Sequence, residues 1–303
     1  MISELAAAGA SAFRLNASHM SVPDVAAMLG SIRGACPAVP VVVDLQGAKM
    51  RLGAIPDRRV RKGEQVVFSI DPSGASGLPV PHPELYAQVT TGQTLRIDDD
   101  RLRFEVTEVT PGSVVAIALD EGIVRARKGI NLVEHPLDLD ALSEVDRALC
   151  RLTASFAPAA LAFSFMKDGR EAAWVRAQAP GCQVIGKIER QDAMDNLPRI
   201  DAAVDAVWVC RGDLGAQLGP AGLARWVATF DPRALRCPVL MAGQVLEHLT
   251  THAAPTRSEV CHLYDLLSRG YGGIVLSDET AIGVDPVQAV RTATSLLRAF
   301  RGL

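Results

Sequence analysis

Two short apolar runs in this chain end in charges that could do chemistry together. Val184-Ile-Gly-Lys-Ile-Glu189 sets an ammonium and a carboxylate two residues apart, and Ala206-Val-Trp-Val-Cys-Arg-Gly-Asp213 ends on a second carboxylate after a glycine. Both runs read as buried strands of a parallel sheet, where the side-chain period of two puts Lys187 and Glu189 on the same side. Asp213 falls at the end of the neighbouring strand. A barrel of parallel strands collects its chemistry at the carboxyl ends, and a carboxylate pair there suits a divalent cation with oxygen ligands. With an ammonium beside it, such a site fits a phosphorylated anionic substrate. The plain alternative is a structural Lys-Glu-Asp ion cluster. Charges at the ends of buried strands are uncommon without a task, which favours function.

Lysine usage points the same way. Of 31 basic residues only Lys49, Lys62, Lys128, Lys167 and Lys187 are lysine. Where charge alone matters this chain uses arginine, so the lysine kept at 187 suggests a compact point charge.

The elements that must carry these residues follow from periodicity. Residues 2–8 read as a helix and 12–15 as a strand; 21–33 is a helix capped by Ser21 with Pro23 in its first turn, and 39–44 is a buried strand. Short β runs then replace the α/β rhythm, at 65–70, 94–98, 102–109, 114–120 and 122–127. Pro111-Gly112 marks a hairpin and Asp98-Asp-Asp100 another turn. The stretch 71–83, rich in Pro, Gly and Ser, is expected to be exposed and mobile. Helix and strand alternate again after Leu132: Ser143 caps a helix, and strands follow at 159–163, 183–188, 206–209, 238–242 and 273–276. Seven parallel strands are recognisable, whereas a closed barrel of this class has eight. The domains expected are a first barrel part at 1–52, an all-β insert able to close over a site at 53–127, and a second barrel part at 128–303.

Bulk properties set limits. A chain of 303 residues with 49% hydrophobic content can bury a large core. A formal net charge of -3 with interleaved signs gives no basic stripe for nucleic acid, and no apolar run approaches a membrane span. The first residues lack the layout of a secretory signal, and the six cysteines show no C-x-x-C spacing, so a reducing cytoplasm fits and each cysteine reads as a small core residue.

Gly186-Lys-Ile-Glu189 and Cys210-Arg-Gly-Asp-Leu-Gly215 resemble the metal and phosphoryl-transfer core of the pyruvate kinase family. The resemblance continues in order through Phe13-Arg-Leu-Asn-Ala-Ser-His19, Val43-Asp-Leu-Gln-Gly-Ala-Lys-Met-Arg-Leu-Gly53, Lys128-Gly-Ile-Asn-Leu132, Pro255-Thr-Arg-Ser-Glu259 and Leu276-Ser-Asp-Glu-Thr-Ala281. It implies an α/β fold, a (β/α)8 TIM-type barrel with a small all-β inserted domain. The family's first strand would precede the helix at 2–8, and its C-terminal domain would follow residue 303. Either the true start lies upstream of Met1, which is the favoured reading, or the barrel has a gap between the strands at 12 and 273. An open seam would leave backbone groups to be covered by another segment or chain. Without the C-terminal domain, allostery through that domain's sugar-phosphate site would be absent.

The resemblance also implies roles. Lys187 and Arg14 would be catalytic, with Lys187 between the transferring phosphoryl and the enolate oxygen. Arg14 and Ser164 would bind the substrate phosphate, although Ser164 is a common residue type. The backbone amides of Gly212 and Asp213 would receive a keto-acid carboxylate, and Glu189 and Asp213 would hold Mg²⁺ or Mn²⁺. Asn16, Ser18, Asp44 and the Leu45 carbonyl match the monovalent-cation site, but Lys49 stands where the family usually has an acid, so K⁺ should not be required. Asn16, His19, Arg51 and Lys128 would meet the nucleotide; solvated loop charges are the alternative. Two departures stand out: Ala242-Gly243-Gln244 lacks the family's threonine, and Ser277-Asp-Glu279 replaces Ser-Gly-Glu. One missing hydroxyl costs about 1–3 kcal/mol of transition-state stabilisation, which slows a reaction without abolishing it.

The reaction implied is phosphoryl transfer from phosphoenolpyruvate to ADP with uptake of a proton, giving pyruvate and ATP in glycolysis. Small molecules are the expected partners, with no nucleic acid or membrane; a homo-oligomer is left open. The alternatives are a metal-dependent lyase or aldolase acting on pyruvate-like keto acids, and a non-catalytic regulatory paralogue. An enolate-only reaction would need no nucleotide lid, which argues against the lyase.

Overall fold

The computed structural model describes residues 1–98, 101–132 and 134–301, and the chain divides into two compact units. The first unit, residues 1–47 and 141–303, is built on a parallel seven-stranded sheet whose strands neighbour one another in chain order. They are β1 (Phe13–Asn16), β2 (Val41–Leu45), β3 (Ala159–Phe163), β4 (Gln183–Ile188), β5 (Ala206–Cys210), β6 (Val239–Ala242) and β7 (Gly273–Val275). Helices between the strands include α1 (Ile2–Ala7), α2 (Val22–Ala35), α3 (Glu144–Ala154), α4 (Arg170–Gln178), α5 (Leu197–Ala203), α6 (Arg211–Thr229), α7 (Arg257–Ser268) and α8 (Pro286–Arg301). This is the α/β architecture of a TIM-type barrel with seven strands, as the strand count from the sequence led us to expect.

Local chemistry sets the helix starts. Ser21 and Thr256 each form a reciprocal capping box, with Asp24 and Glu259, and the Ser143 hydroxyl accepts from the Asp146 amide. β1 and β7 are the sheet's edges, with no ladder between them among the described residues. The helical layer is continuous where the strands are not, because α1 packs on both α2 and α8. Gly9 makes that approach possible: at φ +110°, a Cβ there would lie 2.6 Å from the Thr294 side chain of α8.

Alternation along the strands divides the sheet's two faces. Val42, Ala160, Ala162, Ile185, Trp208, Cys210 and Ala242 form one apolar cluster from five neighbouring strands. Two residues beyond members of that set come Asp44, Ser164 and Lys187, so the same face turns polar at the carboxyl ends. On the other face Gly186 admits the helices, since a Cβ would lie 2.9 Å from Met166 Sδ and 3.1 Å from Ile200 of α5. The glycine of the Gly-Lys-Ile-Glu motif therefore serves packing.

The second unit comprises residues 48–140. Its mainly antiparallel seven-stranded sheet runs Met50–Arg51, Gly129–Leu132, Thr94–Ile97, Leu102–Thr110, Ser113–Ala118, Gln65–Ser69, Leu78–Pro79, beside a ribbon of Gly122–Val124 and Arg58–Val60. Phe68, Phe104, Leu95, Ile97, Val66 and Val114 lie in its core. These limits exceed the insert read at 53–127. Gly129–Leu132 pairs with Thr94–Ile97 and with Met50–Arg51, so the segment that seemed to reopen the barrel belongs to the β unit. The expectation of an exposed stretch at 71–83 is corrected for its second half, where Leu78–Pro79 pairs beside Phe68 and Ser69 and Leu78 and Val80 are buried. Of the expected turn at 98–100, Asp98 turns at φ +58°, while Asp99 and Asp100 lie outside the described residues.

Candidate active site

The carboxyl ends of β1 to β4 bring Arg14, Asp44, Ser164, Lys187 and Glu189 into one buried network. Parallel register aligns Arg14 with Val42 and Asn16 with Asp44 on adjacent strands, and Asp44 with Ala162 on the next. Asp44, 1% exposed, accepts from Arg14 Nε at 2.8 Å and Nη2 at 2.5 Å, and lies 3.1 Å from Lys187 Nζ. Lys187, 6% exposed, also donates to Ser164 Oγ at 2.8 Å and pairs with Glu189 Oε1 at 3.0 Å. Glu189 Oε2 accepts from the Phe165 amide at 2.8 Å. Two cations and two carboxylates are thereby interleaved.

That interleaving explains the protonation states. Burial alone would pull the Lys187 ammonium down, but Asp44 and Glu189 beside it hold it above the ordinary lysine value. Burial would raise the Asp44 carboxyl, yet Lys187 and Arg14 hold it below the usual carboxylate range. For Arg14, burial opposes the charge and Asp44 more than restores it. A fixed, largely buried ammonium and guanidinium can receive an anion and hold developing negative charge without rearranging.

Asp213 lies half-buried in the first turn of α6, with Arg211 and Gly212 before it, so the amide-rich end of a helix follows β5 directly. The donor chemistry suits Mg²⁺. Each Glu189 oxygen has one protein donor and keeps a second lone pair, and the Asp213 carboxylate would offer a second hard oxygen donor. No cluster of three or more His, Cys, Asp or Glu forms among the described residues. Mg²⁺ takes one or two carboxylates and fills its other positions with water and phosphate oxygen, whereas zinc takes three or four protein ligands.

Other expected residues are placed as follows. Ser164 is brought into the network, but its hydroxyl donates to the Leu45 carbonyl at 2.8 Å and receives Lys187, so it orients the lysine. Asn16 Oδ1 accepts from Ser18 Oγ at 2.7 Å. His19 sits at the end of a short 3-10 turn after β1. Lys49, Arg51 and Lys128 belong to the second unit; there Lys128 pairs with Asp98 at 2.7 Å and Arg51 donates to the Arg127 carbonyl at 3.1 Å. Gly243, at φ +83°, accepts through its carbonyl from the Arg211 guanidinium, Nε at 2.9 Å. Among the cysteines, the core expectation is corrected for Cys261, which is exposed, and Cys36, which is half-buried. Cys210 is buried beside Glu189, and burial pushes its thiol well up, so it is no nucleophile.

Three further buried carboxylates were given no role by the sequence. Glu171 accepts from the Lys167 and Gly169 amides at 2.7 and 3.0 Å, and Glu279 from Ser277 and Leu246 at 2.7 and 3.3 Å. Asp146 does the same for Gln46 and Gly47. A first-turn acid after a Ser or Gly at the helix start is all that hinted at these positions, beyond the Ser277-Asp-Glu279 motif that contains Glu279.

Residues 1–290 match the family model described as pyruvate kinase, barrel domain. Relatives named pyruvate kinase include one from Methylorubrum extorquens, 35% identical over 96% of this chain and 63% of the relative, and one from Agrobacterium vitis, 31% identical over 98% and 64%. The human pyruvate kinase PKLR is 30% identical over 98% of this chain and 56% of its own length. The chain thus spans less than two thirds of the curated relatives it matches. With its parallel barrel, its Lys187 network and a match over nearly its whole length, the chain belongs to the pyruvate kinase family.

Proposed function

We propose that the chain carries out, as part of the whole protein, phosphoryl transfer from phosphoenolpyruvate to ADP, giving pyruvate and ATP. The carrying observation is the buried Lys187 ammonium, 2.8 to 3.1 Å from Ser164, Glu189 and Asp44, with Arg14 on the same carboxylate. Phosphoryl transfer asks for positioning and charge stabilisation more than for covalent chemistry, and this network supplies both. Lys187 is assigned to the charge that develops between the phosphoryl group and the enolate oxygen. Arg14 binds the phosphate, with Ser164 orienting Lys187 toward it. The amides of Gly212 and Asp213 receive the carboxylate, and Asn16, His19, Arg51 and Lys128 serve the nucleotide.

Glu189 and Asp213 would hold Mg²⁺ or Mn²⁺, which when bound neutralises phosphoryl oxygens as a Lewis acid. K⁺ is not required in this reading. Asp44, the carboxylate of the expected monovalent site with Asn16, Ser18 and the Leu45 carbonyl, already has two protein cations, Arg14 and Lys187. The setting is cytoplasmic glycolysis, with small-molecule partners and self-association left to measurement. A coupled assay for ATP formation tests the reading: turnover with phosphoenolpyruvate, ADP and Mg²⁺ that disappears on Lys187→Met supports it. Turnover of keto acids without nucleotide would point to a lyase, and neither activity to a non-catalytic relative.

A further inference from the structure

Asp146 is a buried carboxylate, 1% exposed, that the proposed reaction does not use. It sits in the first turn of α3, where its own amide is capped by Ser143 Oγ at 3.0 Å. Its side chain reaches to the loop leaving β2: Oδ1 accepts from the Gln46 amide at 3.2 Å and Oδ2 from the Gly47 amide at 3.1 Å. Two consecutive amides are thus gripped by one carboxylate. Burial, with Asp44 adding repulsion, pushes its carboxyl up to about 6.

What is gripped matters. Gln46 and Gly47 directly follow Asp44 and Leu45, the two residues by which β2 enters the site. Leu45 offers its carbonyl to Ser164, and Ser164 receives Lys187. Gly47, at φ +55°, lies so near β3's end that a Cβ would meet the Ser164 carbonyl oxygen at 2.2 Å. A loop this close to Ser164 cannot shift without moving it.

We infer that Asp146 is a positioning residue: by holding the Gln46–Gly47 amides it fixes the carboxyl end of β2, and through Asp44 and Leu45 it sets where Arg14, Ser164 and Lys187 stand. Its catalytic consequence rests on the reaction proposed above. Asp146→Asn is nearly isosteric, but its amide nitrogen would face an amide N–H where an oxygen stood, so one grip is lost. Misplacing reacting groups by a fraction of an ångström to an ångström costs up to about a hundredfold in rate. Leu149→Val, on the same helix, removes buried volume but none of the hydrogen bonds that hold the loop, and serves as the stability control.

The test compares the unaltered chain, Asp146→Asn, Asp146→Ala and Leu149→Val by melting temperature, kcat and KM for both substrates, and amide exchange over residues 41–47. Expected is a fall in kcat of about tenfold or more for both Asp146 variants, with KM for ADP within about twofold. Exchange at 41–47 should rise in those variants and not in Leu149→Val, which should keep kcat within about twofold. Asp146 variants with unchanged kcat, or a matching loss in Leu149→Val, would overturn the inference. If the unaltered chain forms no ATP, the reaction is wrong, and exchange at 41–47 decides alone: no rise refutes the positioning role, a rise upholds it.

Discussion

Replacing Lys187 by methionine removes the one ammonium that touches both Asp44 and Glu189. At the 3.0 Å separation from Glu189 Oε1, an effective dielectric of about 20 gives an attraction of roughly 5–6 kcal/mol. Desolvation offsets part of that, and removing one partner of a buried pair costs about 3–5 kcal/mol. Asp44 would keep Arg14, whereas Glu189 would keep only the Phe165 amide, so most of the penalty should fall on Glu189. Urea unfolding should show Lys187→Met less stable than the unaltered chain by about 3–5 kcal/mol. The double variant Lys187→Met/Glu189→Gln, neutral at both positions, should recover about 1–3 kcal/mol of stability while regaining no kcat. A single variant as stable as the unaltered chain, or a double variant no better than the single, would refute the charge balance drawn from these distances.

Asp213→Ala should abolish tight Mn²⁺ binding, followed by water-proton relaxation; unchanged affinity would remove Asp213 from the metal set. Asp146, raised to about 6 against an unfolded value near 4, gives stability that is full below pH 4 and is lost as pH climbs through 6. The cost of Asp146→Asn should therefore be larger at pH 4.5 than at pH 7.5, by about 2 kcal/mol, in paired denaturation curves. Rates in potassium and tetramethylammonium chloride at constant ionic strength should agree for the unaltered chain, because Asp44 is already paired twice by protein cations. Gly47→Ala should destabilise by more than about 2 kcal/mol, combining left-handed backbone with the Ser164 contact. Gly63→Ala, at φ +82° with open space around it, should cost about 1 kcal/mol, and equal costs would discount the contact.

The barrel was legible because its strands are short, buried and bounded, and because period two alone puts Lys187 and Glu189 on one face. The seven parallel strands appear within two residues of where apolar runs placed them. The second unit was less legible at its rims. Met50–Arg51 and Leu78–Pro79 are two-residue strands, too short to show any period, and Gly129–Leu132 reads like either kind of strand until its antiparallel partners are seen. Within the site, residue types showed which charges to suspect but not their pairing. Asp44 read as a ligand for a monovalent cation, and only the register of β1, β2 and β4 shows that Arg14 and Lys187 converge on it. Likewise nothing in the spacing of Gln46 and Asp146, a hundred residues apart, could join them.

The buried acids around this site solve one problem in two ways. A carboxylate taken out of water needs compensation from a cation or from several donors, and the partner decides what the acid can do. Asp44, and through one oxygen Glu189, are compensated by side-chain cations, which leaves a network whose charge can respond to an incoming anion or metal. Asp146, Glu171 and Glu279 are compensated by backbone amides, which cannot move away independently of the chain, so each fixes a loop: after β2, after β3, and after β6 and β7. A Gln or Asn would match the shape of these clamps but would present a donor to one of two amide N–H groups. The demand for two acceptors on one rigid group is what selects an ionisable side chain there, even at the cost of burying its charge. On that ground Glu171→Gln should loosen the loop after β3 as Asp146→Asn loosens the loop after β2, with faster amide exchange at residues 167–169; unchanged exchange would show that one acceptor suffices.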